Sequence, residues 1–305
     1  MHRKRLVLED GLQRASGWCA GCAVGYMLLS LAFGMAGRVL MQLWYRGPGE
    51  GAALPAAELF AWTINLGCSL LGLVLPIAAA FFIGRLPFHA MRLHKAKPHI
   101  LVPALLVYLG GSQLGGLVAN LVGRVTGSTQ NMQLPASTPA RVLAFLTICV
   151  IPPIFEECLF RGVMQGFLRP YGHWLAIVGQ AVPFALLHGS ASAVVFALLA
   201  GIFFGWLAER TDSILPGMLL HFINNSMAFV QLLLLDMGME RAVQSISMFN
   251  LIALPILGGA VLVWWCRQGG HLQRLERVRR VDRLMFARPW VASQVILLVY
   301  CFLMG

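Results

Sequence analysis

The sequence predicts an all-α polytopic membrane protein with eight or nine transmembrane helices. Three observations predict it. Of 305 residues, 58% are hydrophobic and only 11% charged, too few charges to coat a soluble domain. Apolar runs long enough to cross a bilayer recur along the whole chain, and mean hydropathy is +0.75. The period-two alternation of a membrane barrel is absent.

The elements follow in order. The first span is 17–37. The preceding "MHRKRLVLED" has the charge of a secretory n-region, but the apolar run is too long and begins too far in, so an uncleaved first span is expected. Cys19 and Cys22 form a CxxC at its membrane end. With no second pair of that spacing, they read as small buried thiols, and the five other cysteines are scattered singly, which implies no disulfide framework. Spans 59–84 and 99–123 come next. Segment 124–139, "RVTGSTQNMQLPASTP", is a Gly/Ser/Thr/Pro loop. It closes an N-terminal three-span region, 1–139, of no assigned role. Spans 140–168, 173–189, 191–208 and 214–235 form a middle region, 140–235, that carries every unusual polar residue. Spans 247–266 and 290–304 form a C-terminal region, 236–305. Spans 173–189 and 290–304 are short, hence a count of eight or nine. The basic stretch 267–289 reads as an amphipathic helix lying on the membrane. No internal repeat is visible, which weakens an inverted-repeat transporter.

The charges set the orientation. With the N-terminus cytoplasmic and every span crossing once, cytoplasmic segments hold 17 Lys/Arg and the opposite side 5. That satisfies the positive-inside rule. It predicts a multi-pass protein of a plasma membrane, the bacterial inner membrane being the expected one, and assigns the net charge of +11 to anionic headgroups. Nucleic acid is not an expected partner, because the arginines flank spans rather than gather in one domain.

Within the spans, Glu156, Glu157 and Arg161 are the charged residues away from the ends. Each costs at least ~2.5–3.5 kcal/mol at bilayer depth. Glu157 and Arg161 are four apart, on one helix face, so Arg161 neutralises Glu157. Glu156 is rotated about 100° away and has no partner in its own helix. Two other spans offer partners. Span 173–189 ends in "PFALLHG" with His188, and span 214–235 contains "LPGMLLHFINNS" with His221, Asn224 and Asn225. His221 and Asn225 share a face. Counted from the cytoplasmic ends, Glu156 lies about 18 Å in, His188 about 22 Å and His221 about 10 Å. Pro152, Pro153 and Pro183 break hydrogen bonds nearby, and the carbonyls they free need a protein or water donor. Pro216 falls in a first turn, where proline is normal. "GIFFGWLAERTDS" supplies small residues for close packing. His173 sits at a span end, where interfacial placement suffices. His2, His89, His94, His99 and His271 are loop or edge residues with no assigned role.

A lone membrane His or Asn is most often an interhelical hydrogen-bond partner, and a Glu–Arg pair can be structural glue. A base, two imidazoles and an amide on three spans are harder to explain that way. They fit activation of a water and stabilisation of an oxyanion, and Glu and His also serve as zinc ligands.

These residues carry a resemblance. "EECLFR" resembles the EExxxR motif of the CPBP family of intramembrane proteases, which includes the type II CAAX prenyl endopeptidases and the bacteriocin-processing and immunity proteins. "FALLH", Phe184 to His188, resembles its FxxxH motif, and "HFINN", His221 to Asn225, its HxxxN motif. The motifs stand in family order and depart from it nowhere. The resemblance covers about 140–235 and implies a CAAX-protease-like catalytic helix bundle. It implies Glu156 as the general base, His188 holding the water, and His221 and Asn225 stabilising the oxyanion. Glu157 and Arg161 would set the electrostatics. The family reaction is endoproteolysis near a membrane-embedded or lipid-anchored peptide end, so the expected partners are a membrane-associated protein or peptide substrate and the bilayer. The family is classed with metallopeptidases, which leaves a divalent metal such as zinc open as cofactor. The sequence does not require one, and HExxH is absent.

The chemistry agrees independently, because hydrolysis needs a base that works near neutrality and desolvation moves carboxylates that way. Two rivals stand beside the protease: a non-catalytic scaffold or immunity protein of the same fold, and a transporter. The first would have no need for all four of Glu156, His188, His221 and Asn225. The second would show charges in several spans.

Overall fold

A computed structural model describes residues 2–44, 54–127, 133–267 and 287–304. Among the described residues there are nine helices and no strand. They are α1 (His2–Trp44), α2 (Leu54–Phe82), α3 (Pro98–Thr126), α4 (Thr138–Tyr171), α5 (His173–Leu186), α6 (Ala191–Thr211), α7 (Leu215–Asp236), α8 (Glu240–Arg267) and α9 (Arg288–Met304). A single 3-10 turn, Phe88–Met91, lies between α2 and α3. Seven helices are long and apolar enough to cross a membrane, while α5 and α9 are shorter. The chain is an integral membrane protein.

Several boundaries differ from the sequence reading. Helix α3 continues through Thr126, into the segment read as loop. Helix α6 continues to Thr211, so Glu209 is helical rather than part of a connecting loop. Helix α5 stops at Leu186, which leaves His188 in the turn to α6. Gly189 there takes φ +78°, a conformation that suits glycine. The expected surface helix at 267–289 lies almost wholly outside the described residues.

Two clusters of buried apolar side chains form the core. One joins α1, α2, α4, α5 and α9 through residues such as Leu12, Leu73, Phe160, Leu175 and Leu297. The other joins α3, α6 and α7 through Ala104, Tyr108, Phe204 and Leu220. Large apolar residues such as Phe82, Val125 and Phe302 stay on the outside, where lipid replaces water as solvent. Small residues let the helices approach closely. A Cβ on Gly110 of α3 would stand 2.6 Å from the Leu254 carbonyl oxygen of α8, and one on Gly258 of α8 2.6 Å from that of Leu106. Gly201 and Gly205 of α6 do the same against α5, at 3.1 Å from Ala181 Cβ and 2.5 Å from Gln180 Nε2.

Carbonyls freed by proline find donors. Pro152 lacks the N–H that Ile148 would receive in an α-helix, and Pro153 the one it would receive in a wider i→i+5 turn. Asn225 Nδ2 of α7 fills the place at 2.9 Å. Pro183 likewise frees Gly179, and Trp290 Nε1 of α9 donates to it at 2.9 Å. The breaks at Pro152, Pro153 and Pro183 are thereby turned into ties to other helices.

Candidate active site

Helix α4 is not uniform. Its Leu146–Val150 and Cys158–Met164 stretches widen to i→i+5 hydrogen bonding on either side of the α-helical turns Ile151–Glu157. Such widened turns recur at functional positions. Here they bracket the two carboxylates.

Glu157 and Arg161 are both fully buried. Arg161 Nη1 donates to Glu157 Oε1 at 2.9 Å, across one turn. Its Nη2 lies 3.4 Å from the Gly201 carbonyl of α6, which also receives Gln180 Nε2 of α5 at 2.9 Å. The guanidinium stands over the Phe184 ring at 4.3 Å and the Phe204 ring at 5.3 Å, contacts that favour a cation. Phe184 belongs to one core cluster and Phe204 to the other, so the ion pair sits on their seam. Gly217 of α7 leaves it room, since a Cβ there would lie 2.8 Å from Glu157 Oε2.

His221 joins the pair. Its Nδ1 is 3.2 Å from Glu157 Oε1, and its Nε2 is 4.0 Å from Glu156 Oε2. One imidazole therefore stands between two carboxylates. With Arg161 already on Glu157 Oε1, the short contact places the proton on Nδ1 and turns Nε2 toward Glu156. The two acids are not equivalent: 14% of the Glu156 side chain is accessible and none of Glu157. The Phe204 ring stacks on the imidazole with centroids 5.7 Å apart.

His188 is exposed, its Nδ1 on the Phe184 carbonyl at 2.9 Å. The Phe184 ring meets both histidines edge-on, with centroids 4.9 Å from His188 and 6.3 Å from His221. Asn225 donates to Ile148 and lies 3.3 Å from the Asn224 amide. A cavity of about 610 Å³ is lined by His188, His221, Asn224 and Asn225, and reaches Asn120 and Arg124 near the end of α3. Glu156 is not among its lining residues but lies 4.0 Å from His221, which is.

Two spans, α4 and α7, thus bring Glu156, Glu157, Arg161, His221 and Asn225 together, with His188, from the α5–α6 turn, on the same cavity. Sequence reasoning gave Asn225 to an oxyanion, whereas one of its two N–H groups is already spent on Ile148. Replacing Asn225 with Ala is expected to cost about 1–3 kcal/mol, because a half-buried carbonyl inside the membrane bundle loses its donor. Asp, which cannot donate when ionised, should serve no better than Ala. Thermal unfolding in detergent checks this, and an unchanged midpoint for Asn225→Ala would sink it.

Several polar residues escaped the sequence reading. Gln180 and Gln165 are fully buried. Arg92, in the α2–α3 connection, donates through Nη2 to the Arg161 carbonyl at 2.8 Å and pairs with Glu209 at 2.8 Å. His173, read as interfacial, pairs with that same carboxylate. Only the i,i+4 spacing of Gln165–Arg169 and Arg161–Gln165 signalled a continuing polar face on α4.

A zinc site needs three or more convergent protein ligands. Among the described residues no three His, Cys, Asp or Glu side chains form such a group. Nδ1 of His221 is held by Glu157 and Nδ1 of His188 by a carbonyl. Such bonds at Nδ1 leave a histidine able to ligate through Nε2; what the group lacks, among the described residues, is a third convergent ligand.

Residues 138–227 match the model of the Rce1-like family, described as type II CAAX prenyl endopeptidase Rce1-like. The match spans α4 to the middle of α7 and includes every residue of the cluster. No curated protein and no solved structure gives a significant match.

Proposed function

We propose, from the Rce1-like endopeptidase domain at residues 138–227, that this chain hydrolyses peptide bonds of membrane-associated proteins or peptides. One observation carries the reading. A single imidazole stands between two carboxylates, of which Glu157 is neutralised by Arg161 and closed to water, while Glu156 is partly open. Two acids in contrasting surroundings divide the labour of a hydrolase. Glu156 takes a proton from water, which attacks the scissile carbonyl. His188, on the cavity wall, holds that water. The second N–H of Asn225 donates to the oxygen on which charge develops, and His221, oriented through Nδ1–H by Glu157, donates to it when Nε2 also carries a proton. Glu156 then returns the proton to the leaving amine.

The cavity also bears on the side of attack. It runs to Asn120 and Arg124, both exposed, at the end of the bundle opposite the α2–α3 connection, which carries Arg85, Arg92, Lys95 and Lys97. With the charge-rich end in the cytoplasm, the substrate enters from the non-cytoplasmic face.

The test is reconstitution in liposomes with a lipid-anchored, donor–quencher peptide supplied on one face at a time, followed by mass spectrometry of the products. Cleavage is expected when the peptide is on the face opposite Arg92. A folded, oriented protein that cleaves none of a panel of lipid-anchored and membrane-spanning peptides is no endopeptidase. Cleavage from the Arg92 face alone would reject the sidedness.

A further inference from the structure

The end of the bundle away from the active-site cavity holds a second cavity, of about 570 Å³. Its ionisable lining is Arg85, His89, Arg92, Arg169 and His173, with no carboxylate. The acid that answers them lies underneath. Glu209 is fully buried and receives Arg92 at 2.8 Å, Arg169 at 3.2 Å, Gln165 at 2.7 Å and His173. Asp212 pairs with Arg169 at 3.1 Å. Arg92, Arg169 and His173 share these two carboxylates, while Arg85 and His89 form no ion pair with either.

The arginines are held against local preference. Arg92 is 3% exposed, yet its Nε has no hydrogen-bond partner among the described residues. That nitrogen has no accessible surface, so it adds to the cost of burying the guanidinium, a cost that an anion in the cavity offsets by its charge rather than by a bond to Nε. Burial lowers the Arg92 pKa, and Glu209 opposes that shift; an anion in the cavity acts in the same direction as Glu209. The backbone is bent as well. Arg85 (φ +53°), Arg92 (φ +49°) and Asp212 (φ +48°) are the non-glycine residues with positive φ among the described residues. Two of them line this cavity and the third pairs with its Arg169. Backbone strain of this kind collects at ligand sites.

The surroundings identify the ligand. Phe82, Ile83, Phe88 and Leu93, on the same connection, are 85%, 72%, 70% and 45% exposed. An apolar collar beside a cationic pocket, at the charge-rich end of membrane helices, matches a molecule with acyl chains and an anionic phosphate. We propose that this cavity binds the phosphate of an anionic phospholipid headgroup. Arg92 links it to the active site, since its Nη2 holds the carbonyl of Arg161.

The test reads binding, not cleavage. The full-length protein is placed in phosphatidylcholine vesicles with or without phosphatidylglycerol, and retained lipid is identified by native mass spectrometry alongside the unfolding midpoint. A parallel arm adds inorganic phosphate to the detergent-solubilised protein. Phosphatidylglycerol is expected to be retained and to raise the midpoint. Arg85→Gln should weaken retention about fivefold, as loss of one cation near a membrane surface does, and Arg85→Lys should restore most of it. Arg85 is exposed and lies outside the Glu209 cluster, so the variant keeps the fold. No preference for the anionic lipid, or retention unchanged in Arg85→Gln with His89→Gln, overturns the site. Equal stabilisation by inorganic phosphate overturns the lipid as its ligand.

Discussion

Glu156→Gln is expected to slow peptide cleavage by about 10²–10⁴-fold, the worth of a positioned general base, and to leave the protein folded. The surroundings of the two acids explain the asymmetry. Glu157 is locked between Arg161 at 2.9 Å and His221 at 3.2 Å. Glu156 reaches its nearest ion-pair neighbour, His221 Nε2, only at 4.0 Å, beyond hydrogen-bond range. An amide of the same shape removes the proton acceptor but leaves no opposite charge stranded. The measurement pairs turnover of a fluorogenic membrane-anchored peptide with the unfolding midpoint. Turnover within tenfold of wild type, at an unchanged midpoint, would remove Glu156 from the mechanism. It would also favour a scaffold built on the same helices.

Arg161→Met is expected to destabilise the protein by about 3–5 kcal/mol, the cost of breaking a buried ion pair from one side. The loss has three parts. Glu157 keeps a charge with only His221 to meet it, the Gly201 carbonyl loses a donor, and Phe184 and Phe204 lose the cation between them. Removing both charges, as Glu157→Gln with Arg161→Met, should recover much of the stability, because no lone ion remains. It should not recover cleavage, since His221 then lacks the carboxylate that fixes its proton on Nδ1. Unfolding midpoints and turnover for the single and double variants separate the two effects. Equal midpoints for both variants would mean that the pair does not act as a unit.

Much of this was legible in the chain. Apolar runs located the helices, because a lipid solvent demands them. The i,i+4 spacing placed Arg161 on Glu157, which the buried pair shows. Prolines 152, 153 and 183 announced unmet carbonyls. The donors that meet them, Asn225 and Trp290, could not be read, because each comes from another helix and the spacing of one helix says nothing about the rotation of its neighbour. The connection 83–97 misled for a related reason. Arg92 looks like an interfacial charge in sequence, yet the left-handed turn at that residue carries its side chain inward to Glu209. Glu209 was missed because a helix end and a loop look alike when the residues are polar.

Helix α5 has 14 residues, about 21 Å of rise, against a hydrocarbon layer of ~30 Å. A rod that short stops inside the membrane, and ten of its residues are buried against neighbouring helices rather than lipid. His188 lies just beyond its end, so the depth that α5 does not fill is taken up by protein and by the cavity that His188 lines. Water in that cavity reaches the level of His188 through the protein itself, so the thickness of the surrounding bilayer should matter little to its approach.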